Sequence, residues 1–359
     1  MRHIKADSYI GHSSQLSGIK EYRLIGGKGD GMRQLEVQNG CGMQMIINLD
    51  RAADIEQLWL KGDNLSYISA VGHVAPSYYD DRGAGFIKSF TGGLLTTCGL
   101  QTIGKPSIDN GEELPLHGRV GNTPCEYAYW VENDENFVIH AFINQATVFG
   151  AKLYLKRTIQ CSKTKNCVSI KDEIENRGDT KEPIMIMYHM NMGYPLLSEE
   201  SEVFIPSKVV KAADERADEG LEQWNKMIPP TANFKEQCYF HEFDERGLAS
   251  IYNSRIQKGL VISFDATNLD TLTEWKMMGI KDYVLGLEPG NCIPKERNTL
   301  REEGQLKYIE AFECVTYEVD VTLIEGESSW NSLKQEFQVA QSPQMLGSNN
   351  LVKPSSQSR

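Results

Sequence analysis

Apolar and polar residues alternate with period two along most of the chain. In residues 152–160, Leu153, Leu155 and Ile159 fall on one side, and Lys152, Lys156 and Thr158 on the other. The alternation recurs over residues 167–175, ahead of a turn at Asn176-Arg177-Gly178-Asp179. Over residues 315–323, Val315, Tyr317, Val319, Val321 and Leu323 alternate with Thr316, Glu318, Asp320 and Thr322. Each pattern predicts a half-buried antiparallel strand, because successive strand side chains point to opposite faces. Shorter runs predict further strands at residues 34–37, 43–48, 137–143, 184–190, 250–252 and 260–265. Turn signals punctuate them at Gly26-Gly27, Asn39-Gly40, Gly92-Gly93, Asn110-Gly111, Arg177-Gly178 and Pro289-Gly290.

Helical signal is confined to residues 212–227, which end before Pro229-Pro230, and residues 333–339. No regular helices separate the strands, so a βαβ architecture is not expected. The prediction is an all-β chain: one large antiparallel β-sandwich over residues 1–326 with few short helices, then a polar C-terminal tail over 327–359, mobile from 341 onward.

A net charge of −12 argues against nucleic-acid or anionic-membrane partners, since both need a basic footprint. It leaves a small neutral ligand open. The chain has 8 cysteines and no Cys-x-x-Cys pair, which predicts free thiols in a reducing compartment. Residues 1–8 have no apolar core and no small-residue cleavage site, and no apolar run reaches membrane-span length. The expected location is the cytoplasm.

Gly26-Gly27-Lys28-Gly29-Asp30-Gly31 lacks the spacing and the following helix of a phosphate loop, and is read as a turn. Three other segments carry candidate chemistry. Glu288 ends the apolar run that starts at Tyr283 and directly precedes Pro289-Gly290. Partial desolvation there would raise its pKa and make it a proton acceptor near neutral pH. His117 stands in Leu116-His117-Gly118-Arg119, where Gly118 allows a sharp bend that either aims the imidazole into a cleft or ties down its own loop. His189 ends the strand-like run from Ile184, with Asn191 on the same face by alternation, and titrates in the physiological range. Phe90 to Leu100 supplies glycines, hydroxyls and Cys98, and is read as a wall of the same pocket. In Tyr78-Tyr79-Asp80-Asp81-Arg82, Arg82 is a substrate-binding candidate or one half of an ion pair. Trp275 could stack on a sugar ring or pack in a core, and Lys276 could bond a hydroxyl or pair with a carboxylate.

In this order, the Leu-His-Gly segment, the strand ending in His189 beside Asn191, and the Leu287-Glu288 strand end with Pro294 and Asn298 beyond it resemble one family. It is the galactose mutarotase-like (aldose 1-epimerase) superfamily, and within it an aldose 1-epimerase-like branch without characterised members. The resemblance covers residues 20–326. It implies a sandwich with a saccharide cleft and interconversion of sugar anomers, with a free sugar as substrate and no metal or nucleotide cofactor. It assigns Glu288 to removal of the anomeric hydroxyl proton, His189 to protonation of the ring oxygen, and His117 to a hydrogen bond near that oxygen. The family aspartate that grips sugar hydroxyls has no counterpart motif here, and Arg119 stands where many members carry glycine. Two alternatives remain. One is an isomerase or epimerase moving a proton at C2, aided by Lys276 or by a metal on His117, His189 and Glu288. The other is a carbohydrate-binding protein without catalysis. The sequence leaves open which sugar binds, its charge, and whether the chain forms a homodimer.

Overall fold

A computed structural model describes residues 8–337 and 342–351. Period-two alternation becomes pairing register. The strand Lys152–Ser162 sets Leu155 opposite Ile174 and Ile159 opposite Ile170 of Cys167–Asn176. That strand sets Ile170 opposite Val319 of Cys314–Glu325. The inward residues are buried and those between them partly or fully exposed. These three strands lie inside an eight-stranded antiparallel sheet. Its spatial order is Ser201–Phe204, Arg246–Asn253, Lys258–Asp265, Cys314–Glu325, Cys167–Asn176, Lys152–Ser162, Asn136–Ala146, Tyr127–Glu132.

A seven-stranded sheet runs Gln344–Leu346, Val209–Ala212, Gln237–Glu242, Thr271–Met278, Tyr283–Gly290, Met185–Met192, Leu95–Leu100. All its pairs are antiparallel except the first. A third sheet is a meander of Gly18–Arg23, Arg33–Gln38, Met43–Asn48, Asp54–Leu60 and Asp63–Asn64. Inward side chains of all three sheets join one apolar core, for example Leu35 and Ile55, Ile170 and Val319, Met190 and Leu287. Burying such area is the main favourable term in folding. The architecture is the expected all-β sandwich.

Met185–Met192 is buried at every position, unlike the eight-stranded sheet's alternating strands. One face, with Ile186, Tyr188 and Met190, joins the main core. The other face meets a smaller cluster of Cys98, Ile103, Met185, Met187, Leu300 and Leu306, with Leu300 supplied by the short helix Arg297–Glu302. A strand covered on both faces reads as a continuous apolar run, and any polar residue in it stands out.

The segment read as a polar tail packs onto the sandwich. The helix Glu327–Glu336 buries Trp330, which stacks on Tyr252 at 5.5 Å and donates from Nε1 to Glu202 at 2.7 Å. Gln344–Leu346 pairs in parallel with Val209–Ala212, in place of the mobility expected from residue 341. Residues 338–341 and 352–359 lie outside the described residues, so the expected helix at 333–339 is described only to 337. The expected helix over 212–227 shrinks to Glu215–Asp218 and the 3-10 turn Leu221–Gln223, because Ala212 closes a strand. The eight cysteines are free thiols. Among the described residues, no helix is long and apolar enough to cross a membrane.

Candidate active site

Three strands of the seven-stranded sheet build the site by register. Thr273 pairs with Glu288, and His189 pairs with Thr96. The flanking pairs Met187–Gly290 and Met190–Leu287 set His189 opposite Glu288. His189 Nε2 stands 3.3 Å from Glu288 Oε1, with side-chain exposures of 6% and 3%. The neighbouring row is Trp275, Gly286 and Asn191. Gly286 leaves room for the carboxyl: a Cβ there would stand 2.2 Å from Glu288 Oε1, so a side chain at 286 would displace the Glu288 carboxyl from the bare backbone it leans over.

His117 arrives from a loop. Its φ is +59°, an uncommon conformation for a side chain with a Cβ. Its backbone N–H donates to Gly104 O at 3.2 Å, and its ring Nδ1 lies 2.7 Å from Ile103 O. A carbonyl only accepts, so Nδ1 carries the proton and Nε2 is left as an acceptor in the neutral ring. Gly118 follows with φ +74°, and a Cβ there would meet Gly99 O at 2.1 Å. The bend expected at Gly118 is therefore obligatory.

The two imidazoles meet edge to face at 5.5 Å. Phe86 packs on His117 at 5.1 Å, while Phe90 and Trp275 each stand 5.4 Å from His189. Trp275 donates from Nε1 to Glu236 Oε2 at 2.7 Å. Asn191 donates from Nδ2 to Gly93 O at 3.1 Å and His189 O at 2.9 Å. Three buried atoms on this face make no hydrogen bond among the described residues: His189 Nδ1, Asn191 Oδ1 and Glu288 Oε1. Orphaned buried polar atoms are rare, and three on one face mark a place for a polar ligand.

Burial sets the proton positions. It pushes the His189 imidazole down to about 3, with the nearby His117 adding to the effect. It also lowers His117. Burial raises the Glu288 carboxyl well above its usual range, and the Glu236 carboxylate adds to this. Burial therefore favours the protonated carboxyl and the neutral imidazole. Burial raises the Cys98 thiol well above its usual value too, leaving it a wall and not a nucleophile.

The expected residues do not all converge. His117, His189, Glu288, Asn191 and Trp275 share this face. Lys276 does not: alternation turns it to the opposite face from Trp275, where Nζ donates to Gln223 O at 3.0 Å and Trp224 O at 3.3 Å. Arg82 is exposed on the loop before Phe86, and no atom of its guanidinium bonds to the cluster. Glu236, Phe86 and Gly286 went unread. Only Gly286 carried a signal, a glycine inside an apolar strand. Among the described residues, no three His, Cys, Asp or Glu side chains are placed to hold a metal ion. Two surface clefts, each about 270 Å³, lie elsewhere, beside Arg297 and beside Tyr194.

The chain is similar in structure to a candidate aldose 1-epimerase from Klebsiella pneumoniae, with a TM-score of 0.87 and 22% identity over 96% of this chain and 94% of that one. It is similar to a galactose mutarotase-like protein from Clostridium acetobutylicum, with a TM-score of 0.63 and 14% identity over 87% and 99% of the two chains. Galactose 1-epimerase from Lactobacillus acidophilus matches with a TM-score of 0.62 and 13% identity over 87% and 100%. No curated protein matches the chain. These likenesses fix the galactose mutarotase-like fold. Residues 29–323 match the model of a domain of unknown function, DUF4432, and the chain belongs to that family.

Proposed function

We propose that the chain is an aldose 1-epimerase-like isomerase that interconverts the anomers of a free sugar, with Glu288 and His189 as its acid–base pair. The observation that carries this reading is the 3.3 Å approach of His189 Nε2 to Glu288 Oε1 in a buried site. One shared proton is the number that ring opening needs. The hydroxyls of a bound sugar restore polarity to the site and let the proton pass from Glu288 to His189. Glu288 then takes the proton from the anomeric oxygen while His189 gives its proton to the ring oxygen. The bond from C1 to the ring oxygen breaks and a C1 carbonyl forms. Glu288 is again protonated and His189 neutral, as in the resting protein. Rotation about C1–C2 and the reverse transfers give the other anomer.

His117 takes a narrower role than the resemblance implied. Its Nδ1–H is committed to Ile103 O, so neutral Nε2 accepts from a sugar hydroxyl and has no proton to give the ring oxygen. Trp275, Phe86 and Phe90 supply apolar faces for the sugar ring. Asn191 Oδ1 accepts from another hydroxyl.

Free aldoses and ketoses in heavy water, followed by proton NMR, test the reading. Faster exchange between α and β signals without deuterium on carbon is expected. Deuterium at C2 would show an isomerase or epimerase instead. Binding without accelerated exchange would show a non-catalytic carbohydrate-binding protein.

A further inference from the structure

The cleft beside Arg297 lies between the hairpin of Ser107–Asp109 and Glu112–Leu114 and the helix Arg297–Glu302. Lys181, Arg297 and Arg301 line it, and so do Asp109, Glu112 and Glu182. The formal charges balance, but the hydrogen bonding does not. Asp109 accepts from Arg301 Nε at 2.9 Å on one oxygen, and from Arg297 Nε at 2.6 Å and Arg301 Nη2 at 2.7 Å on the other. Glu112 accepts from Arg297 Nη2 at 2.6 Å. Glu182 accepts from Thr180 Oγ1 at 3.1 Å and Gln101 Nε2 at 3.2 Å. The acids are all engaged, Asp109 by three donor contacts.

The donors are not. Arg297 is 3% exposed, and its Nη1 is buried with no partner among the described residues. The Tyr308 hydroxyl accepts from Arg301 Nη1 at 2.5 Å and donates its own proton to no described group. The Lys181 ammonium stands 4.7 Å over the Tyr308 ring and pairs with Glu310, both half-exposed. An unpartnered guanidinium nitrogen and a free hydroxyl proton beside a cleft of about 270 Å³ call for a ligand with acceptor oxygens.

We propose that this cleft is a second binding site, for a small molecule bearing an oxyanion, carboxylate or phosphate, whose oxygens accept from Arg297, Tyr308 and Lys181. The site is separate from the sugar chemistry. Leu300 and Tyr308 join it to the small apolar cluster that also holds Met187, two residues from His189, and Ile103, whose carbonyl meets His117.

Calorimetric titration of the full chain tests the proposal, with inorganic phosphate and acetate in separate runs at constant ionic strength. Saturable binding of at least one anion is expected, weakened roughly tenfold in Lys181→Ala or Tyr308→Phe. Lys181→Ala leaves the buried arginine pairs intact, so folding does not confound it. Tighter binding of phosphate assigns a phosphate ligand, and tighter binding of acetate a carboxylate. Absence of saturable binding by both anions would overturn the proposal, as would binding that neither variant weakens. Glu288→Gln is expected to bind as the wild type does; loss of binding there would place the anion at the sugar site instead.

Discussion

Replacing Glu288 with glutamine is expected to lower sugar turnover roughly 10³-fold and, at neutral pH, to stabilise the fold. Both effects come from one buried carboxyl. Glutamine keeps the shape and the polar contact but holds no transferable proton. In the wild type, burial makes the folded carboxyl keep its proton to a pH well above the ordinary glutamate value of 4.5. The unfolded chain releases that proton near the ordinary value. Between the two values the native state binds more protons than the unfolded state, so stability falls as pH rises through the window. The variant lacks this loss, and its advantage over the wild type grows with pH from about 4.5 upward. His189 works at the acid end in the other direction. Burial holds its folded pKa at about 3, below the ordinary imidazole value of 6.5, so stability drains away as pH falls between them. Urea midpoints of both proteins across pH 4 to 8 check the sign. Parallel curves would contradict the raised carboxyl pKa, and wild-type turnover in the variant would remove Glu288 from the mechanism.

Arg157→Met is expected to cost about 3–5 kcal/mol of stability. Arg157 is fully buried where the three sheets meet. It donates from Nε and Nη2 to Asp172 at 2.9 and 2.7 Å, and from Nη1 to Asp54 at 2.7 Å. It also donates to Ala52 O at 3.1 Å and Thr97 Oγ1 at 2.8 Å. The Tyr188 hydroxyl donates to Asp172 at 2.9 Å. Methionine fills the volume but leaves Asp54 and Asp172 buried without their cation, and an uncompensated buried charge is the costly outcome. Tyr188 and Thr97 are the neighbours of His189 and Thr96, so the network holds the back of the same strands that carry the site. Urea denaturation reads the loss directly. A change below about 1 kcal/mol would mean that the network contributes little to the fold.

Arg157 also shows how the sequence encodes such a feature. Alternation over residues 152–160 puts it in register with Leu153, Leu155 and Ile159, which is where a lone charge must find a partner. Its partner Asp54 lies 103 residues away in the chain, and that separation hides the pairing. The strands of the eight-stranded sheet were easiest to read because one face is wet. The strands Gln237–Glu242 and Thr271–Met278 were not predicted, because their burial does not alternate cleanly. Lys276 adjoins Trp275 in the chain, and period two sends the pair to opposite faces. Trp330 in a polar stretch was the overlooked sign that residues 327–336 pack down. His189 and Glu288 were each visible at a strand end, but their contact is a matter of register between strands, which one sequence does not print.

The central claim is that His189 and Glu288 work as a unit on one shared proton. A double-mutant cycle on the rate of α–β exchange, read by magnetisation-transfer NMR for the wild type, Glu288→Gln, His189→Gln and the double variant, tests it most directly. Each single change should remove nearly all of the acceleration, and the double variant should be no slower than the slower single one. Losses that multiply, or a single variant that keeps the wild-type rate, would contradict a shared proton.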